Sequence, residues 1–150
     1  MRKPGGKPVE ILLVEDNPGD VILTREAFKS FKLANNLHVA ENGEKALKIL
    51  RQEGEFADHI VPDLVLLDIN LPRVNGKDVL KAIKEDEKLR TIPVIVLTGS
   101  KAERDVLETY KLYASGYIIK PLDIPQFAEA IRCLECFWFT VVTLPQDYKG

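Results

Sequence analysis

Five short aliphatic runs, each followed by an amphipathic segment, limit most strongly what this chain can fold into. "VEILLV" (Val9 to Val14), "LHVA" (Leu37 to Ala40), "DLVLLD" (Asp63 to Asp68), "PVIVLT" (Pro93 to Thr98) and "GYIIK" (Gly116 to Lys120) read as strands. The segments after them are "DVILTREAFKSF", "GEKALKILRQ", "GKDVLKAIKED", "AERDVLETYKL" and "DIPQFAEAIRCLECFW". In the first, Val21, Leu23, Ala27, Phe28 and Phe31 recur at three- and four-residue steps, and in the third Val79, Leu80 and Ile83 do the same. Each set draws one apolar stripe on a helix. Strands apolar on both faces belong to a parallel sheet covered by helices, and strict β/α alternation implies right-handed crossovers. The expected fold class is α/β, a doubly wound five-stranded parallel sheet with helices on both faces. Residues 1–8 are expected to be a loose N-terminal tail, 9–139 the domain and 140–150 a C-terminal extension.

In sheets of this kind the functional crevice lies beyond the carboxyl ends of the strands. The first strand runs into Glu15 and Asp16, the third ends in Asp68, the fourth in Thr98 before Gly99 and Ser100, and the fifth in Lys120 before Pro121. An ionised carboxylate is costly at the end of a buried strand without a partner. Asp68 is therefore either the solvated first residue of a loop or one member of a charged site. Three converging carboxylates repel one another, and a hard divalent cation with room for waters, such as Mg²⁺, suits them. If Asp68 attacks a phosphoryl group, the cation offsets charge on its oxygens while Lys120 and the Thr98 hydroxyl bind others. Gly99 leaves the donor a path, and Pro121 can fix the approach of the ammonium. Asn17 and Asp20 read as caps of the first helix.

Composition removes several other classes. A chain of 150 residues with a formal net charge of -2 is most naturally one domain with no electrostatic demand for nucleic acid or a membrane surface. The N-terminus "MRKPGGKPVE" has no apolar signal-peptide core, so a cytoplasmic location is expected. "CFWFTVVTL" is far short of the roughly 20 residues that span a bilayer. Cys133 and Cys136 form a CxxC, but within a predicted helix, with no second CxxC and only His38 and His59 as histidines. Packing is expected of them, not zinc or redox chemistry.

The set Glu15-Asp16, Asp68, Thr98 and Lys120-Pro121, with "DINLPRVNG" at the end of the third strand, resembles the receiver domain of two-component response regulators, a flavodoxin-like fold, over about Val9 to Phe139. That resemblance implies that Asp68 is the phosphoacceptor, Asp16 a direct Mg²⁺ ligand and Glu15 a water-mediated one, with the backbone carbonyl of Asn70 completing the metal site. Mn²⁺ is an alternative ion. Thr98 and Tyr117 take the positions of the switch pair. "ILLVEDNPGD", "TIPVIVLTGSKAERDV" and above all "FWFTVVTLP" look like the single-domain response regulators paired with cyanobacterial-type phytochromes. A light-regulated sensor histidine kinase is then the implied phosphodonor. Such a protein is not an enzyme beyond its own phosphorylation and dephosphorylation, and it signals to a downstream protein through the receiver surface, by a two-state shift in which Thr98 bonds the phosphoryl group and Tyr117 turns into the vacated space.

The tail is the least generic stretch. Phe137, Trp138, Phe139, Val141, Val142 and Leu144 follow too closely for one helical stripe to bury them all. A homodimer through the last helix and this tail is expected, the alternative being a tail folded back on its own domain. A rival function is a haloacid-dehalogenase-type phosphatase, which also uses an aspartate nucleophile. That enzyme wants a second Asp where Asn70 stands, and Asn cannot donate and regain a proton in that role. A dinucleotide-binding domain is ruled out because "EDNPGD" contains no G-x-G-x-x-G.

Overall fold

The computed structural model describes residues 8–29, 34–71, 74–100 and 114–120, together with Ala102, Glu108, Pro125, Glu129 and Arg132 as single positions. Among them are five strands, β1 (Val9–Val14), β2 (Asn35–Ala40), β3 (Leu64–Asp68), β4 (Val94–Thr98) and β5 (Gly116–Ile119). Three α-helices, α1 (Pro18–Lys29), α2 (Gly43–Leu50) and α3 (Gly76–Glu85), and a short 3-10 helix at Gly54–Phe56 complete the described elements. The single positions fall in the segments expected to form a fourth and a fifth helix, and their backbone is helical. The strands form one sheet in the order β2-β1-β3-β4-β5, and every pairing is parallel. This is the flavodoxin-like order, whose switch point lies between β1 and β3.

Alternation along the strands divides the core into two layers. Leu12, Val14, Val65, Leu67, Val94 and Val96 pack with α2 and α3 through Ala46, Ile49, Leu50, Val79, Leu80 and Ile83. Ile11, Leu13, Leu64, Leu66, Ile95 and Leu97 pack on the opposite face with Ala27 and Phe28 of α1. The α1 stripe differs from expectation at one place: Thr24 is fully buried, because its hydroxyl donates to the Asp20 carbonyl at 2.8 Å. Satisfied inside its own helix, that polar atom loses little on burial. Val21 and Leu23 are only partly buried against the same layer, and Phe31 lies outside the described residues.

Boundaries shift where tertiary pairing overrides the apolar pattern. Strand β2 begins at Asn35, two residues before the aliphatic run, since Asn35 and Asn36 pair with Val9 and Glu10 of β1. Helix α1 starts at Pro18, after the Asn17 side chain, which accepts the Asp20 amide at 3.1 Å. Proline at the first helical position suits an N-terminus whose first amides have no helical partner. Asn42 and Asn75 cap α2 and α3 through the amides of Lys45 and Asp78. Asn75→Ala is expected to lower the unfolding free energy by about 1 kcal/mol. Urea denaturation checks this, and an unchanged midpoint would show that the cap bond contributes nothing.

The loop from β3 to α3 is closed by the Gly76 amide, which donates to the Ile69 carbonyl at 3.1 Å. A Cβ on Gly76 would lie 2.4 Å from the Asp68 carbonyl oxygen and 2.4 Å from the Ile69 Cα. One on Gly43 would lie 2.2 Å from the Val74 carbonyl oxygen. Both glycines therefore let a helix start directly against the loop that follows Asp68.

Candidate functional site

Backbone hydrogen bonds that continue the ladders past the strand ends position the charged residues. The Glu15 amide donates to the Ala40 carbonyl, that of Ile69 to Leu97, and that of Lys120 to Thr98. Glu15, Asp68 and Lys120 thus leave three different strands at one edge of the sheet. The side chains meet there. Lys120 Nζ lies 2.8 Å from Glu15 Oε1, 3.0 Å from Asp68 Oδ2 and 2.9 Å from Asp20 Oδ2. An ammonium has three N–H donors, and three carboxylates receive them.

The remaining carboxylate oxygens are also held. Asp68 Oδ1 accepts the Asn70 amide at 2.9 Å, and Glu15 Oε2 accepts the Asn17 amide at 3.2 Å. Asp68 and Glu15 are buried, 3% and 1% exposed, whereas Asp16 faces solvent. One carboxylate oxygen from each of Glu15, Asp16 and Asp68 can be chosen so that all three lie within 4.8 Å of one another. Hard oxygen donors at that spacing, one of them open to water, fit a divalent cation of the Mg²⁺ type. Thr98 is fully buried at the end of β4, with its hydroxyl donating to the Ser100 carbonyl at 3.2 Å. Tyr117 is half-buried against the α2/α3 layer, and its hydroxyl accepts the Ala114 amide at 3.3 Å.

Burial pushes the Glu15 carboxyl up to about 7, with its hydrogen bond to Asp68 acting in the same direction and Lys120 opposing both. Burial works against the charge on Lys120, but its bonds to Glu15, Asp20 and Asp68 outweigh it and hold the ammonium above its ordinary value. A carboxyl that holds its proton more tightly folded than unfolded contributes stability at low pH, and this contribution is lost as pH rises. Without metal, the Glu15 contribution should therefore decline between pH 4.5 and about 7. A cation at the cluster competes with that proton, so saturating Mg²⁺ should remove the decline. Urea titrations across this window, in EDTA and in Mg²⁺, measure it. Parallel profiles in the two buffers would disprove the coupling.

The sequence-predicted residues Glu15, Asp16, Asp68 and Lys120 are thus brought together. Asp20 was expected only as a helix cap; its carboxylate instead reaches Lys120. Asn17 alone takes the capping role. Pro121, Cys133, Cys136, the expected dimer residues Phe137, Trp138, Phe139, Val141 and Leu144, and Val142 lie outside the described residues.

The chain carries a parallel sheet in this order with an acidic trio and a lysine at its carboxyl edge, and residues 11–132 match the response regulator receiver domain family. The chain belongs to that family. Response regulator Rcp1 of Synechocystis sp. is 37% identical over 145 residues, covering 97% of this chain and 99% of that protein. The structure also resembles the phosphorylated cyanobacterial phytochrome response regulator RcpA, with a TM-score of 0.79, 39% identity, and 89% and 96% of the two chains covered. The Mn²⁺-bound form of Rcp1 gives a TM-score of 0.78 at 38% identity, covering 91% and 98%. The haloacid-dehalogenase alternative finds no support: the family match assigns the chain to receivers. Among the described residues no helix is long and apolar enough to cross a membrane.

Proposed function

We propose that this response regulator accepts a phosphoryl group on Asp68 from a sensor histidine kinase. The observation that carries this is the meeting of Asp68 with Lys120 and the acidic trio at one sheet edge. In the transfer, an Asp68 carboxylate oxygen forms a bond to phosphorus, the bond from phosphorus to the donor histidine nitrogen breaks, and the imidazole keeps that electron pair. The partly buried ammonium of Lys120 offsets charge that would otherwise oppose the approach of an anionic donor. Glu15, Asp16 and Asp68, with the backbone carbonyl of Asn70, would hold Mg²⁺, or Mn²⁺, which supplies charge neutralisation on the phosphoryl oxygens. Asn70 also fixes the rotation of Asp68 through its own amide.

Readout is assigned to Thr98 and Tyr117. To donate to a phosphoryl oxygen the Thr98 hydroxyl has to leave the Ser100 carbonyl, which couples the modification to the loop after β4. Tyr117 lies on the adjacent strand, paired with Val96 of β4. The likeness to the phytochrome response regulator RcpA favours a phytochrome kinase as donor; the apolar tail sequence supports a homodimer through it, and the proposed site of action is a downstream protein in the cytoplasm. The deciding experiment is intact mass after incubation with acetyl phosphate and Mg²⁺, with size exclusion on the same samples. One phosphoryl adduct, absent in EDTA, is expected. An unchanged mass with either the small donor or a phytochrome kinase and ATP would remove the proposal, and an elution volume matching a monomer in both states would remove the dimer.

A further inference from the structure

Asp20 is the feature of the site that its sequence position does not explain. It lies in the first turn of α1, where an acidic residue is ordinarily favoured by the helix dipole. Its carboxylate, however, is four-fifths buried and 2.9 Å from Lys120 Nζ. Capping of α1 does not need this side chain, because Asn17 accepts the Asp20 amide and Thr24 uses the Asp20 carbonyl. The other two partners of Lys120 are Glu15 and Asp68, and both belong to the trio that can take a cation. Asp20 is outside that trio. A divalent cation draws carboxylate oxygens toward itself, so metal binding weakens the hold of Glu15 and Asp68 on the ammonium. One anionic partner of Lys120 then remains uncommitted.

We propose that Asp20 is a positioning residue, holding the Lys120 ammonium beside Asp68 when a divalent cation occupies Glu15, Asp16 and Asp68. The inference rests on the phosphoacceptor role of Asp68. Without Asp20 the four-carbon lysine stem regains rotamers that carry the charge away from the acceptor, and phosphoryl transfer slows although nothing that touches the phosphoryl group has changed.

The test is a double-substitution cycle on wild type, Asp20→Asn, Lys120→Ala and the pair, since a residue acting through another has no effect once that other is gone. The rate of adduct formation from acetyl phosphate in saturating Mg²⁺ is expected to fall about tenfold in Asp20→Asn, and to show no further loss when Asp20→Asn is added to Lys120→Ala. Equal rates in wild type and Asp20→Asn, or the same loss on both backgrounds, would overturn the proposal. Melting temperatures of the four proteins in Mg²⁺ supply a readout that needs no phosphorylation. An Asp20→Asn shift present with Lys120 and absent without it supports the contact in the metal-loaded protein; equal shifts refute it. If wild type itself gains no adduct, the role of Asp68 falls, while the melting cycle still reports on the Asp20–Lys120 bond.

Discussion

Asp68→Asn is expected to leave the intact mass unchanged under conditions in which the wild type gains one phosphoryl group, a complete loss rather than a slowing. The amide is nearly isosteric, and its single acceptor oxygen can serve one of the two donors that fix this side chain, the Asn70 amide or Lys120 Nζ. What disappears is the anionic oxygen that attacks phosphorus, and no neutral amide replaces it as a nucleophile. The fold should survive, since one of three mutually repelling carboxylates has been removed. Lys120 still has Glu15 and Asp20. A melting temperature at or above that of wild type, together with no adduct, is therefore the expected pair of results. An adduct of wild-type stoichiometry on Asp68→Asn would move the acceptor elsewhere, with Asp16, the exposed member of the trio, the first place to look.

Gly76→Ala is expected to lower stability by about 3 kcal/mol, at the upper end for a single added methyl. Helix propensity predicts the opposite, because alanine in a helix is favoured over glycine by about 1 kcal/mol. Sterics should win. The new Cβ would meet the Asp68 carbonyl oxygen and the Ile69 Cα at 2.4 Å, and both are backbone atoms that cannot rotate away. Relief requires the β3–α3 loop to move, and with it the backbone that carries Asp68, so phosphorylation should slow as well. Gly19→Ala is the control, since its Cβ would meet only Asn17 Oδ1, at 3.1 Å. Urea denaturation of both variants tests the argument. A wild-type midpoint for Gly76→Ala would mean that the loop yields freely and does not set the position of Asp68.

Much of this architecture was legible because buried parallel strands write themselves as unbroken aliphatic runs. Leu64 to Leu67 could be read directly, and so could the polar residues that close the strands. The edge strand was harder. Asn35 and Asn36 carry no apolar signal and become β structure only because β1 offers them backbone partners. Thr24 was invisible to hydrophobic periodicity for a related reason, its hydroxyl being satisfied within α1. Asp20 was missed because its partner is a hundred residues away, and local pattern explains an acidic residue in a first helical turn without it. One clue was available: Asn17 already accounted for the cap, which left the Asp20 carboxylate without a local task. Glu10 escaped notice in the same way. It is a nearly buried carboxylate in β1 that His38 and Asn36 engage from the neighbouring strand.

The strand order also bears on how the chain assembles during synthesis. β1 is made first but sits between β2 and β3, so one of its sides stays unpaired until residues 64–68 have left the ribosome. Leu12, Leu13 and Val14 are then apolar, β-prone and incompletely covered, which exposes the nascent chain to aggregation in that interval. Arrival of β3 ends it and delivers Asp68 beside Glu15 in the same step. A cell that makes this protein faster than β3 can dock would lose material to inclusion bodies before any signalling defect became visible.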